Sequence, residues 1–288
     1  MVRRILLIAA GTALCSCSHI DIKGLFAPTG DGVEQRFEQS REISHDLKAE
    51  SADVQENYMF YVATDPHIDR THVNLDVFND SFRNDGNASF AVILGDCIDV
   101  KDNLETYLEA LTYRPESHRF DYPVFHVLGN HDVYFNGWDD FKEIIGPSVY
   151  WFEAVFPGGK DLYISLDTAT GTLGRRQTEW FRSFLSENRR NYRHCIILTH
   201  TNFFYTDRSQ NSSGNMPLEE SFALIDFLGI HDVSLVLQGH DHYREDLTYD
   251  NVRYTIVGAI RDDADAPEYL KVSVGSDGIS LDWKEISR

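Results

Sequence analysis

A chain of 288 residues, 42% of them hydrophobic and 25% charged, holds enough apolar material for one large domain or two small ones. Its formal charge of −20 repels nucleic-acid backbones, which argues against binding a nucleic-acid polymer. If such a protein acts on an anion, the positive charge must be local, and metal ions are the economical source of it.

In chain order, the first element is a leader. "MVRRILLIAAGTALCSC" places two arginines before an apolar stretch from Ile5 to Leu14, the layout of a secretory signal peptide over residues 1–16. The stretch falls well short of the roughly 20 residues that a spanning helix needs. "LCSC" at 14–17 resembles a bacterial lipobox, with Leu14 at −3, Ser16 at −1 and Cys17 as the residue to be acylated. The expectation is an exported protein of the bacterial cell envelope, held by a lipid anchor at Cys17 rather than by a spanning helix. The alternative is a soluble periplasmic or secreted protein. Beyond the leader only Cys97 and Cys195 remain, both beside apolar runs, so they are expected as buried thiols. No CxxC pair points to a thiolate metal site.

Residues 17–56 are expected to form a tether, poor in apolar residues and rich in turn formers, in which Val33 to Leu47 can form a short helix docked on the domain and no residue argues for chemistry. The domain proper is expected over 57–288. From Tyr58 onward, short apolar runs read as strands buried on both faces: "YMFYVAT", "FAVILG", "YPVFHVLG", "HCIILTH" and "VSLVLQG". Between them "HVNLDVFNDSFRND", "NLETYLEALTYR", "WDDFKEIIG", "RRQTEWFRSFLSENRR" and "PLEESFALIDFLG" set apolar residues three and four apart, as amphipathic helices do. "VYWFEAVFPGGKDLYISLDT" reads as a hairpin turning at Gly158-Gly159. "YTIVGAI…YLKVSVGSDGISLDW" reads as further hairpins, with a turn near Gly275–Gly278. The class is therefore α/β with mixed sheets.

The polar residues that follow the five runs form a set. They are Asp65-Pro66-His67; Gly95-Asp96, with Asp99 three residues on; Gly129-Asn130-His131-Asp132; His200; and Gly239-His240-Asp241-His242. Ligands of α/β sheets bind at the carboxyl ends of strands, so these residues can converge although they span most of the chain. Asp, His and Asn without Cys suit borderline ions such as Mn(II), Fe(II), Zn(II) or Ni(II). The ligands are too many for one four-coordinate ion, and two divalent ions bridged by a carboxylate fit the count better. In extended backbone, residues i and i+2 face the same way, so Asp65 with His67 and His240 with His242 are each expected to present a pair of ligands.

The ordered set DxH, GDxxD, GNHD, TH and GHxH, over about residues 58–250, resembles the calcineurin-like metallophosphoesterase superfamily. Each piece alone is weak; five in order, each after a buried strand, are specific. The resemblance implies two packed mixed β-sheets flanked by helices, an α/β/β/α sandwich. It implies that Asp65, His67 and His242 hold one metal, that Asn130, His200 and His240 hold the other, and that Asp96 bridges them. It implies catalytic roles for His131, as general acid or transition-state stabiliser, and for Asp132, as the group that orients it. The activity implied is hydrolysis of a small-molecule phosphate ester by a hydroxide bridging two metals, with monoester and diester both open. Purple acid phosphatases carry a metal-binding Tyr where this chain has Asp99, which argues against a coloured ferric site. The alternative is a non-catalytic recognition module on the same fold.

Other residues take structural expectations. His45, His72, His118, His126, His194 and His231 are read as surface or core residues. Asp99 either tunes the site or caps the next helix. Arg208, in the long "TNFFYTDRSQNSSGNM" segment, is the expected substrate contact, with Tyr134 and Trp138 as further possibilities. Tyr243 and Arg244 are expected to be structural.

Overall fold

The structure, a computed structural model, describes residues 30–117, 119–204 and 216–287. The leader, Cys17, His118 and Arg208 lie outside the described residues.

Two sheets pack face to face. One holds five strands: β2 (Tyr58–Ala63), β3 (Ala88–Ile93), β4 (Val124–His126), β11 (Glu268–Gly275) and β12 (Gly278–Glu285), in the order β12-β11-β2-β3-β4. The other holds seven: β1 (Ala52–Asp53), β5 (Tyr150–Phe156), β6 (Gly159–Ser165), β7 (Cys195–Leu198), β8 (Leu235–Gln238), β9 (Glu245–Tyr249) and β10 (Val252–Ile256), in the order β1-β5-β6-β7-β8-β10-β9. Both sheets are mixed, as expected. Alternation along β2 sets the layers: Tyr58, Phe60 and Val62 point into the core between the sheets, where Phe60 meets Tyr163 edge-on at 5.5 Å. Tyr61 and Ala63 point the other way, against α2 (Val73–Asn84), α3 (Leu104–Ala110) and α5 (Gly137–Ile144). α6 (Gly174–Asn188) and α7 (Leu218–Ile230) cover the outer face of the seven-stranded sheet through Phe181, Leu185, Leu224 and Leu228. The result is the α/β/β/α sandwich, and Cys97 and Cys195 are buried and unpaired within it.

Three expectations need correction. The β5–β6 hairpin turns at Pro157-Gly158, because Phe156 pairs with Gly159; Gly158 takes the positive φ of 97° that the second central position of a type II turn requires. "YTIVGAI" does not pair with "YLKVSVG". β10 joins β8 and β9, while β11 crosses to the other sheet beside β2. The segment expected as a tether belongs to the domain from Val33 onward: α1 (Val33–Ile43) packs Phe37 with Leu47 and Val149, and β1 pairs with β5. The physical reason is a single side chain. Arg36, fully buried, donates to both carboxylate oxygens of Asp167 at 2.7 and 2.9 Å, a bond across 131 residues that local composition does not reveal.

His126, at the end of β4, is 5% exposed, lies 5.1 Å from the Phe120 ring, and its Nε2 has no hydrogen-bond partner. Burial pulls its pKa down to about 3. The unfolded chain binds a proton there below about 6.5, which the folded protein refuses until about 3. Stability is therefore lost as pH falls through that window. His126→Leu should lose about 1.4 kcal/mol less per pH unit than the parent between pH 6 and 4, measured by urea unfolding at each pH. Parallel stability–pH curves for the two proteins would refute this.

Candidate metal centre

Strands β2, β3 and β4 are parallel neighbours in one sheet, and β7 and β8 in the other, so their carboxyl ends deliver five loops to one edge of the sandwich. The loops are stitched together by backbone. Asp65 N–H donates to Gly95 O at 3.1 Å, His67 N–H to Asp96 O at 3.0 Å, Gly239 N–H to His200 O at 2.9 Å, and Ile260 N–H to Thr64 O at 3.0 Å. The last bond reaches β2's loop from the segment that follows β10.

All seven expected ligands converge there. His67 Nε2 lies 3.1 Å from His242 Nε2, and His242 Nε2 lies 3.3 Å from Asp65 Oδ1. His200 Nε2 lies 3.0 Å from Asn130 Oδ1 and 3.2 Å from His240 Nδ1. Asp96 Oδ2 stands between the two groups, 3.5 Å from His67 Nε2 and 3.4 Å from His200 Nε2. Its other oxygen accepts His131 N–H at 2.8 Å. Asp65, Asp96, Asn130, His200 and His240 are buried, while His242 is the open side of the cluster.

The donor set fits divalent cations. Asp65 Oδ1 and His67 Nδ1 are buried with no hydrogen-bond partner, an arrangement that burial alone makes costly. Two pairs of ring nitrogens face each other at 3.1 and 3.2 Å, with lone pairs and carboxylates crowded into the same space. His200 Nδ1–H donates to Leu94 O at 2.8 Å, which fixes the tautomer and turns the Nε2 lone pair inward. Tyr134 OH accepts from Asn130 Nδ2 at 2.9 Å, which turns the Asn130 oxygen toward His200. Asp65, His67 and His242 form one group that could hold an ion, and Asp96, His200 and His240 form another.

Protons stand in for that charge in the protein alone. Burial works against ionising Asp65 and Asp96. The facing imidazoles, His242 at Asp65 and His200 at Asp96, nevertheless hold both carboxyls well below the usual range. Burial also works against a charged His200, but the Asp96 carboxylate beside it raises its pKa to about 10. His67, more desolvated than compensated, falls to about 4.

The backbone is strained to achieve this. Asp65, His67, Asp96, His240 and His242 have φ of 50°, 43°, 50°, 72° and 61°. The left-handed region costs an L-residue roughly 1–2 kcal/mol, and such residues cluster where function requires them. This corrects the expectation of extended i, i+2 pairs: Asp65 and His67 meet the cluster from left-handed turns. Gly129 is required by a close approach and not by its backbone angle. Its φ of −98° suits any residue, but a Cβ there would sit 2.1 Å from Asp96 N and 2.2 Å from Asp96 Oδ1. Gly129→Ala should keep its helical content and bind Mn(II) at least about tenfold more weakly, by titration of free Mn(II). Unchanged affinity would show that the loop gives way.

Asp132 needs the largest correction. Its carboxylate accepts Gly129 N–H and Cys97 N–H at 2.9 Å and Ile98 N–H at 3.4 Å, so it ties the loops after β3 and β4 together and does not orient His131. Burial, then the nearby Asp96 charge, push its pKa up to about 7. His131 Nδ1–H donates instead to the Asp99 carbonyl at 3.1 Å, with Asp99 Oδ1 3.5 Å away. Asp99 thus sits with His131 and does not cap the next helix. Tyr134, a possible substrate contact from the sequence, is buried and serves Asn130. Trp138 is buried and bonds Gln39 of α1. Arg244 pairs with Glu268 at 3.5 Å and lies over Trp283, a structural role as expected. His72, His126, His194 and His231 share no hydrogen bond or ion pair with the cluster.

A family model described as calcineurin-like phosphoesterase matches residues 58–244. No curated protein matches the chain. Among solved structures, a dimetal phosphatase from Danio rerio superposes with a TM-score of 0.61 at 13% identity, over 79% of this chain and 96% of that one. GAP50, described as the anchor in the inner membrane complex of Plasmodium, gives 0.62 at 14% identity, over 80% and 85%. A purple acid phosphatase from yellow lupin seeds gives 0.59 at 13% identity, over 80% and 52%. At these identities the structures speak for the fold; the family model, which spans every motif from Asp65 to His242, shows that the chain belongs to the calcineurin-like phosphoesterase family.

Proposed function

We propose that the protein hydrolyses a small-molecule phosphate ester with two divalent cations, drawn from Mn, Fe, Zn or Ni. One observation carries this reading: Asp96 Oδ2 is nearly equidistant from His67 Nε2 and His200 Nε2, one from each ligand group. Asp65, His67 and His242 would hold one ion and Asn130, His200 and His240 the other, with Asp96 shared. When bound, the cations supply Lewis acidity, polarising phosphoryl oxygens and acidifying water.

The chain's own residues do the rest. The carboxylates and imidazoles stand on strained, glycine-supported loops, so they would hold the ions with little reorganisation. His131, with Nδ1–H committed to the Asp99 carbonyl, presents its other nitrogen for proton transfer to the leaving oxygen, an effect typically worth about 10²–10⁴-fold. Asp99 and Asp132 have separate tasks: the first sits against His131, and the second holds the loops that carry Asp96 and Asn130. We also propose export and lipid anchoring at Cys17, supported by the leader and the "LCSC" stretch. No helix among the described residues is long and apolar enough to cross a membrane.

The test is hydrolysis of p-nitrophenyl phosphate and its bis-ester side by side with added Mn(II). Turnover of either, lost on chelation and restored by metal, is expected. Faster bis-ester cleavage would assign a diesterase, and faster mono-ester cleavage a phosphatase. Two bound ions with no turnover of either ester would favour the recognition module.

A further inference from the structure

α1 lies outside the residues that the family model matches, yet it is wired to the metal centre. Arg36 grips Asp167 through two oxygens with both side chains fully buried. Its remaining nitrogen donates to Asp31 O at 2.7 Å, and Nη2 also reaches Thr170 Oγ1 at 3.3 Å. Asp167 belongs to the loop after β6. Gln177 of α6 holds the same loop, accepting Asp167 N–H at 2.8 Å and donating to Asp167 O at 2.9 Å. The next residue, Thr168, then holds the β7 loop at three points. Its Oγ1 accepts His200 N–H at 3.2 Å and Thr201 N–H at 2.9 Å, and its carbonyl accepts Thr201 Oγ1 at 2.8 Å. Arg36, Asp167, Thr168, Gln177, His200 and Thr201 are all buried, so no water competes for the bonds among them.

We propose that Arg36 is a positioning residue for the ion pocket of His200, His240 and Asn130, acting through Asp167 and Thr168. This rests on the two-cation reading above. The logic is mechanical. His200 must hold Nε2 in position, 3.0 Å from Asn130 Oδ1 and 3.4 Å from Asp96 Oδ2, with a tolerance of about 0.2 Å for a metal ligand, and its main chain is set by Thr168. Asp167, next to Thr168, is the loop's own charged side chain, and its partner is on α1; Glu220 of α7 holds the other end of the loop, at Thr172 and Leu173. The other pocket, of Asp65, His67 and His242, makes none of the Arg36–Asp167–Thr168 bonds; it meets the His200 pocket only at one remove, through Asp96, through Gly239 N–H on His200 O and through His240 N–H on Asp65 Oδ2. Loosening Arg36 should therefore weaken one ion and spare the other. The N-terminal helix becomes a component of the metal centre and not a wrapping.

The experiment uses the whole chain and Mn(II) alone, with free Mn(II) followed by electron paramagnetic resonance to resolve two affinities. Arg36→Lys keeps the charge and loses the two-pronged grip. Thr168→Val removes the acceptor for His200 N–H without touching Arg36. Arg193→Met is the control: it breaks another Arg–Asp pair, the partly exposed Arg193 with the buried Asp161 at 2.6 Å, at the opposite ends of the strands of the seven-stranded sheet. His200→Ala marks which affinity belongs to the His200 pocket. We expect Arg36→Lys and Thr168→Val to weaken that ion about 10–100-fold, the range for outer-sphere partners, with the other ion changed less than about twofold. Arg193→Met should lower thermal stability and leave both affinities alone. Unchanged affinity for both ions in Arg36→Lys and Thr168→Val, or equal weakening of both ions as in any destabilised variant, would overturn the proposal. A parent protein that binds a single ion would overturn the two-cation reading itself, an outcome distinct from two ions and an indifferent Arg36.

Discussion

Asp96→Asn should give a folded protein that holds less than half of the parent's Mn(II) and hydrolyses phosphate esters at least about 10³-fold more slowly, since a metal's Lewis acidity supplies several kcal/mol. The substitution is nearly isosteric. Its oxygen can still accept His131 N–H, the bond that Asp96 Oδ1 makes at 2.8 Å, so the loop has a reason to stay in place. What changes is the other terminus. Oδ2 now faces His67 Nε2 at 3.5 Å and His200 Nε2 at 3.4 Å; an amide nitrogen there offers hydrogens where both ligand groups need a lone pair. The charge that raises His200 to about 10 disappears as well, so the cluster loses its main internal compensation. Metal content by elemental analysis, circular dichroism and turnover separate the cases. Two ions retained with activity lost would remove Asp96 from the shared position and leave it a role in the reaction alone.

The cluster was legible in the sequence because buried parallel strands end abruptly, and each of the five apolar runs is followed by ligand-type residues. Position at a strand's end then stands in for position in space. The local geometry was not legible. Asp65 and His67 sit in left-handed turns held by Gly95 O and Asp96 O, partners from a different loop that spacing cannot reveal. The role of Asp132 was misjudged for the same reason. The resemblance implies a pair with His131, but a residue on the first turn of a short helix points its carboxylate back at the amides of Gly129, Cys97 and Ile98. β9 escaped because "EDLTY" lacks apolar alternation: it is an edge strand with three of its five residues exposed, carried by β10. Its turn did leave a trace, since Asp250-Asn251, both at positive φ, suit a two-residue hairpin. α1 was legible as a short helix, but its anchor was not, because Arg36 reads as a surface charge until its partner 131 residues away is known.

His131→Ala, Asp99→Asn and Asp132→Asn should fail in three different ways. His131→Ala is expected to keep its metal and lose about 10²–10⁴-fold in kcat, with the greater loss on alkyl phosphate esters, whose poor leaving oxygens need a proton more than p-nitrophenolate does. Asp99→Asn should follow the same pattern at about a tenth of the effect. The Asp99 carbonyl still accepts His131 Nδ1–H at 3.1 Å, and only the carboxylate 3.5 Å away is lost. Asp132→Asn belongs to another class. Its carboxylate receives three backbone N–H groups, and an amide can serve only part of them while turning its own hydrogens on the rest. Stability should fall by about 1–3 kcal/mol for the stranded amides, and bound metal should fall with it, because Asp96 and Asn130 ride on the loops that Asp132 joins. The loss should also be independent of the leaving group, since ion positioning and not proton transfer is damaged. Urea unfolding, Mn(II) content and kcat on an alkyl and an aryl ester distinguish the three. An Asp132→Asn protein with full stability, full metal and a selective loss on alkyl esters would restore Asp132 as the partner of His131 and leave Asp99 a bystander.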